Sequence, residues 1–530
     1  MKQFEVRRKQ IEYLSKMLEI IVFIAVGKKL GIEGTGFWLI PLMLYTFVWM
    51  IAGEHYSDAL GRILRSRKAK GQHISVQRIK QMAFFGRLVA GIAGTLALLT
   101  IGSAIGEYFL GCPYSGLMLR ILAPVVFFRC LSALFIGYSQ GEGSEFPAVV
   151  SCILRQVLIF GIGLFFGEYL GNYGIKVSRL LNQERYTAMY TGTGWCLAMV
   201  LAEIVVLLFL IVSYFGMKKR KAREEESMRA TESFGGYVGA IFKGIRYKSL
   251  ICILEFLPVL LGMMIFYRKT GEGAPVGYGS YFVGYFAVCL LIYYLMKAMA
   301  VPFWGKVAGF LKHDDKRLAK ICLQGGVHLI LGMGLVTAAG FSIMAVPVGT
   351  LVGFTSPNLV KVIVPGSFWI LFMSLGFYFS RMLMRLGKNL ISMGIAVLCD
   401  VLFLMIYLIL WSNDNMGILA LMYAALISAG VYAVMLGAVL AQILGWQPNW
   451  LKVIVFPIGA ACLTAVLELL VVKLLGASLG AGLIVLIVGG IGFILFWCAL
   501  ILIRSFDLEE LSVIPFGGVI LALGKMMGVY

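Results

Sequence analysis

Residues 53 to 80 read GEHYSDALGRILRSRKAKGQHISVQRIK, and almost wholly apolar sequence runs away from them on both sides. Glu54 and Asp58, four residues apart, precede Arg62, Arg65, Arg67, Lys68, Lys70, Arg78 and Lys80. Short cytoplasmic connections between membrane helices collect Lys and Arg, so this run marks an inner surface. It places the two carboxylates in the inner third of a membrane helix and makes the chain an all-α integral membrane protein.

Composition agrees with that reading. Of 530 residues, 60% are hydrophobic and 14% charged, against roughly a quarter charged in a soluble domain; mean hydropathy is +0.92. Apolar stretches of about 20 residues, enough to cross the hydrocarbon as helix, recur along the chain. They predict about fourteen helices, near 11 to 31, 36 to 60, 81 to 106, 115 to 140, 146 to 169, 189 to 215, 248 to 268, 279 to 304, 321 to 347, 360 to 385, 388 to 411, 416 to 442, 451 to 475 and 479 to 504. Such runs are too long for barrel strands and lack a period-two alternation.

The formal net charge of +20 gathers in short connections: 62 to 80, KKRKAR at 218 to 223, KHDDKR at 312 to 317, and Arg385 with Lys388. With the connections after helices 2, 6, 8 and 10 basic, both termini are expected in the cytoplasm, and the charge reports topology and contact with membrane lipid, not a nucleic-acid partner. The ten cysteines show no CxxC spacing, and His55, His73, His313 and His328 are isolated in sequence. Without metal-ligand spacing, a phosphate loop or GxSxG, no metal, no cofactor and no enzyme activity are expected. The basic start MKQFEVRRKQ leads into helix 1 without a cleavage site and is read as retained. GEGAPVGYG at 271 to 279 reads as a connecting turn, and 168 to 188 is long enough for a short interfacial helix.

An internal repeat organises the helices. At a shift of about 240 residues, VQRIK at 76 to 80 answers DKRLAK at 315 to 320, LAPVVFF at 122 to 128 answers IVPGSFW at 363 to 369 with Pro124 opposite Pro365, and MLEII at 17 to 21 answers ILEFL at 253 to 257. Two six-helix lobes with a pseudo-twofold repeat follow, an architecture of transporters with a site between the lobes. The expected division is 1–216 for the N-lobe, 217–247 for a charged linker, 248–442 for the C-lobe, and 443–530 for two additional helices and a tail.

Ionisable residues at bilayer depth point to a cavity or to ion pairs inside the bundle. Lys16 and Glu19 on helix 1, Glu54 and Asp58 on helix 2, Glu255 on helix 7 and Lys297 on helix 8 lie near one depth and predict a mixed-charge collar around a central cleft. Two plainer readings stand beside it: Lys16 pairs with Glu19 within its own helix, and Asp58 and Lys297 snorkel to the interface. The close acids Glu54 and Asp58 also make a candidate proton site. Pro41 and Pro258 are candidate hinges. Arg155 and Asp400 read as braces within their own lobes, and Arg87, Arg120, Arg129, Glu203, Arg381 and Glu468 are further interior charges.

The stretches 53 to 80, LRILAPVVFFRCLSALFIGYSQGEGSEFPAVVSCILRQ at 119 to 156, AVPFWGKVAGFLKHDDKRLAK at 300 to 320 and SFDLEELSVIPFGG at 505 to 518 together resemble the polysaccharide transporter and stage V sporulation protein B branch of the superfamily that contains lipid II flippases and multidrug and toxic compound extrusion transporters. The resemblance runs over nearly the whole length. It implies a monomeric flippase of the bacterial cytoplasmic membrane that moves a polyprenyl-pyrophosphate-linked sugar outward by alternating access. The sequence departs from the arginine-rich cleft of the lipid II flippases, since the collar holds Lys16 and Lys297 among more numerous acids. That departure leaves a proton- or sodium-coupled drug antiporter as the alternative, with a membrane glycan polymerase or ligase as a third reading; the coupling ion is open.

Overall fold

The computed structural model describes residues 2–102, 104–219, 234–354, 357–412, 416–475, 480–515 and 517–529. In chain order its first helices are α1 (Lys2–Ala52), α2 (Tyr56–Ala69), α3 (His73–Ala97), α4 (Tyr114–Leu122), α5 (Pro124–Gly141), α6 (Phe146–Leu181), α7 (Arg185–Lys219), α8 (Phe234–Thr270), α9 (Ala274–Tyr281) and α10 (Ala287–Lys312). There follow α11 (Lys316–Ile343), α12 (Ala345–Val352), α13 (Pro357–Gly366), α14 (Phe368–Arg385), α15 (Asn389–Trp411), α16 (Ile418–Leu444), α17 (Phe456–Leu475), α18 (Ala481–Leu502), α19 (Leu508–Val513) and α20 (Gly517–Met526). No strand occurs among the described residues.

Among the described residues, twelve stretches are long and apolar enough to span a membrane, and two of them, of 64 and 78 residues, exceed twice the length of one crossing. The chain is a multi-pass membrane protein, with a count close to fourteen. The first double stretch bends at Gly31, whose φ of 72° is one that residues with a Cβ rarely adopt. Pro41 lies in the part of α1 that follows this bend, and Pro258 lies inside α8.

The repeat has a structural counterpart. The expected helix of 115 to 140 is broken between α4 and α5 at Ala123, and that of 360 to 385 between α13 and α14 at Ser367, next to the paired prolines. Each proline removes a backbone donor and crowds the preceding turn. Side-chain hydroxyls attend both breaks: Thr95 donates to the Ala123 carbonyl at 3.3 Å and Ser342 to that of Val364 at 3.0 Å.

Other boundaries differ from expectation. Residues 168 to 188 form no separate interfacial helix, because α6 continues to Leu181 and α7 starts at Arg185. Beyond the expected end at 169, Gly171 and Gly174 on α6 leave room for Thr191, Thr187 and Tyr190 of α7, so packing carries the two helices on together. Helix α8 begins at Phe234, inside the segment read as a linker, because Tyr237 and Ile241, four apart, bury one face against Tyr56, Ala59 and Val76. The KKRKAR motif at 218 to 223 extends into residues outside those described. Helix 2, expected unbroken over 36 to 60, is interrupted at 53 to 55 between α1 and α2.

Two compact units emerge, one of residues 1–24 with 280–530, the other of residues 25–279. The expected lobes, by contrast, meet at 217–247. In the 25–279 unit, Arg155 of α6 holds Glu203 of α7 through two hydrogen bonds of 2.6 and 3.1 Å, the bracing role expected for Arg155. The basic run of 62 to 80 is tied down as well: Arg65 pairs with Glu145 at 2.9 Å, while Lys68 and Lys80 reach Glu142 at 2.7 and 2.8 Å. In the other unit, α11 lies at the centre and packs against α10, α14, α17 and α18.

Candidate functional site

In the unit of 1–24 and 280–530, the first turns of α1 pack against α10 and α14. Tyr13 meets the rings of Tyr294 and Phe377 at 6.5 and 6.1 Å, and the Gln10 amide donates to the Ala298 carbonyl at 3.4 Å. One turn along α1, Lys16 pairs with Glu19 at 2.8 Å. The Lys297 ammonium lies over three rings, Tyr293 at 4.1 Å, Phe377 at 4.3 Å and Tyr294 at 5.0 Å. Arg381 shares the Phe377 ring at 4.9 Å. Two cations thus flank one buried aromatic ring, each held by the quadrupole of its neighbours. An aromatic and a cation recur four residues apart on both helices, Tyr293 with Lys297 and Phe377 with Arg381, so one face of each carries the pair.

This cage suits an anionic, partly apolar ligand. Lysine and arginine make the strong charge-assisted bonds that phosphate oxygens accept, and tyrosine and phenylalanine give large rigid contact faces.

A second constellation belongs to the 25–279 unit and is built at the break between α1 and α2. The Arg87 guanidinium donates to the Ala52 carbonyl that ends α1 and stacks on the Tyr56 ring at 3.3 Å. A Cβ on Gly53 would press on this guanidinium and on Trp49, so a larger residue there would displace the Arg87 group from its place. Tyr56 and Tyr237 share a hydroxyl hydrogen bond of 2.6 Å, and His55 Nε2 lies 3.2 Å from the Cys252 thiol. Glu54 Oε2 is buried in the turn without a hydrogen-bond partner among the described residues. Glu255 follows Cys252 by one turn of α8. Arg129 lies over Trp49 at 4.8 Å and donates to the Tyr45 hydroxyl.

Of the six residues expected in a collar, Lys16, Glu19 and Lys297 fall in one unit and Glu54, Asp58 and Glu255 in the other. Lys16 with Glu19 takes the within-helix pairing. Tyr13 brings their helix to the Lys297 cage. Asp58 stands in the first turn of α2, past the break, so its spacing from Glu54 is not that of one continuous helix. Arg381, Arg87 and Arg129, read from sequence only as interior charges, prove to be stacked on aromatic rings as Lys297 is. The histidines are not all isolated: His328 Nε2 lies 2.8 Å from the Ser505 hydroxyl and Nδ1 3.3 Å from Glu510, with all three side chains buried. This network, with Gln324 donating to Glu510 and Lys306 to the Val513 carbonyl, seats the segment from Ser505 to Val513 on α11 and α10.

No family model matches the chain. Over 211 residues it is 22% identical to stage V sporulation protein B of Bacillus subtilis (strain 168), a match that spans 40% of this chain and 38% of that protein. The solved lipid II flippase MurJ, in an inward closed conformation, superposes with a TM-score of 0.63 over 92% of this chain and 96% of its own, at 15% identity. An inward-facing multidrug resistance MATE family transporter of the MOP superfamily does so with a TM-score of 0.64 over 81% and 94%, at 14% identity. The fold is that of the MOP superfamily. A MOP-superfamily transporter from Pyrococcus furiosus, described as having a binding pocket of reverse polarity that suggests a different function, also shares it, with a TM-score of 0.58 over 83% and 94%. The MOP fold and the stretch of likeness to stage V sporulation protein B support the branch read from residues 53 to 80, 119 to 156, 300 to 320 and 505 to 518.

Proposed function

We propose that this MOP-fold protein is a flippase that carries a lipid-linked oligosaccharide or polysaccharide precursor across the cytoplasmic membrane by alternating access, with both termini in the cytoplasm. The observation that carries the reading is the aromatic cage in which Lys297 and Arg381 flank Phe377. Pyrophosphate asks for two neighbouring cations and sugar rings for flat apolar faces, while the polyprenyl tail remains in lipid. In this reading Lys16, Glu19, Glu54, Asp58 and Glu255 tune the charge along the headgroup path, and Pro41 and Pro258 serve as hinges.

A second reading, a cation-coupled drug antiporter, draws support from the buried and unpartnered Glu54 oxygen. The two separate in proteoliposomes given either a fluorescent polyprenyl-pyrophosphate sugar or an organic cation under an imposed proton or sodium gradient. Headgroup translocation that drops about 10- to 100-fold in Lys297→Ala and Arg381→Ala, as the loss of a bond of roughly 1.5–3 kcal/mol to a charged group requires, supports the flippase. Uptake of the organic cation alone, lost in Glu54→Gln, overturns it.

A further inference from the structure

Glu468 has no part in either constellation. It sits on α17, within the apolar stretch Leu451–Leu474, and only 3% of it is exposed. It makes no hydrogen bond or ion pair with any described residue, and its Oε2 is buried without a partner. The carboxyl occupies a place that two glycines leave open: a Cβ on Gly492 of α18 would overlap Glu468 Oε1, and one on Gly340 of α11 would lie 3.6 Å from Oε2. Met344, after α11, closes the same region against Gly340 and Gly489.

An ionised carboxylate without a countercharge in such a setting costs several kcal/mol, so the site calls for a cation. The neighbouring elements do not bring one. Helix α18 offers only Cys498 as a titratable group. On α11, His328 lies twelve residues from Gly340, about 18 Å at 1.5 Å per residue, and is engaged with Glu510 and Ser505; Lys316, Arg317 and Lys320 are at its far end. Lys452, in the turn that leads into α17, pairs with Asp507 at 2.6 Å. Lys473 on α17 itself is exposed and five residues away, off the face of Glu468. A metal ion would want several more oxygen or nitrogen ligands, and no group of three His, Cys, Asp or Glu side chains that could hold one occurs among the described residues. The smallest cation needs only the carboxyl.

We propose that Glu468 is a proton-binding site, enclosed by α11, α17 and α18 and separate from the substrate-binding residues proposed above. Releasing the proton leaves a bare charge that only water or a loosened contact of α17 and α18 with α11 can solvate, so occupancy of this site governs how tightly the last two long helices pack. The inference holds whatever the chain transports.

Infrared spectroscopy of the purified full-length protein at pH 7 tests it. Wild type is expected to show the C=O stretch of a protonated carboxylic acid that Glu468→Gln lacks; no difference between the two in that band overturns the proposal. The amide is isosteric and uncharged, so the variant is expected to fold. Should it fail to, dicyclohexylcarbodiimide gives the answer on wild type alone. A protonated carboxyl adds across one C=N bond of the reagent, its proton passing to nitrogen, and the adduct rearranges to a stable N-acylurea. Peptide mapping that finds the adduct on Glu468, with labelling falling as pH rises, supports the site; an unlabelled Glu468, together with a missing carboxylic-acid band, refutes it.

Discussion

Replacing Glu142 by Gln removes the charge that ties the α5–α6 turn to α2 and α3 at once. Burial alone would push this carboxyl up, but hydrogen bonds from Lys68 and Lys80 outweigh it and hold the group down at about 2. A carboxyl moved from its ordinary range to about 2 reports roughly 3 kcal/mol in favour of the charged, folded form. Solvent reaches 17% of the Glu142 side chain and 32% of Lys68, and screening reduces the expected loss to about 1–3 kcal/mol. Because the folded value lies below the ordinary 4.5, this stability is present in full above that pH and is lost as pH falls through about 2. Hydrogen–deuterium exchange of the peptide over residues 138 to 150 reads the local opening. At pH 7 the variant is expected to exchange about 5- to 150-fold faster than wild type, and the gap to close as both are acidified. Equal exchange at neutral pH, or a gap that survives full acidification, would refute the account of Glu142 as a charged tie.

Two further outcomes are expected. Arg155→Met strands Glu203 in the interior and is expected to cost about 3–5 kcal/mol in denaturant titration, whereas Arg155→Met with Glu203→Leu recovers most of it; a double variant as unstable as the single one would count against the buried pair. Glu510→Ala leaves His328 and Gln324 without their shared acceptor, and loss of roughly 1.5–3 kcal/mol predicts about 10- to 100-fold faster protease cutting within residues 505 to 515, with cutting at wild-type rates counting against the seating of that segment.

Much of the architecture was legible because its signals are local. Long apolar runs state where helices cross, and Pro124 and Pro365, matched across the repeat, state where two of them break. Local signals fall short where a distant side chain decides the outcome. Helix 2 breaks because Arg87, 33 residues on from Glu54, takes the Ala52 carbonyl and covers Tyr56. The α6–α7 pair outruns its apolar limits because Gly171 and Gly174 on one helix accept Thr187, Tyr190 and Thr191 of the other. For the candidate site, charge at depth located Lys297 but ranked the acids above the arginines. The two aromatic-to-cation spacings, Tyr293 to Lys297 and Phe377 to Arg381, were the sequence signal that would have found the cage.

The packing of residues 1–24 with 280–530 sets the order in which the protein can be made. The helix of residues 1–24 leaves the ribosome well before its native neighbours in α10 and α14, since Tyr294 and Phe377 are translated 281 and 364 positions after Tyr13. At about 5–20 residues per second, that leaves it in the bilayer for roughly twenty seconds to just over a minute before Tyr13 can meet Phe377. During that interval the Lys16–Glu19 pair keeps Lys16 and Glu19 from facing lipid as lone charges, so a contact within one helix serves the nascent protein before the finished fold exists.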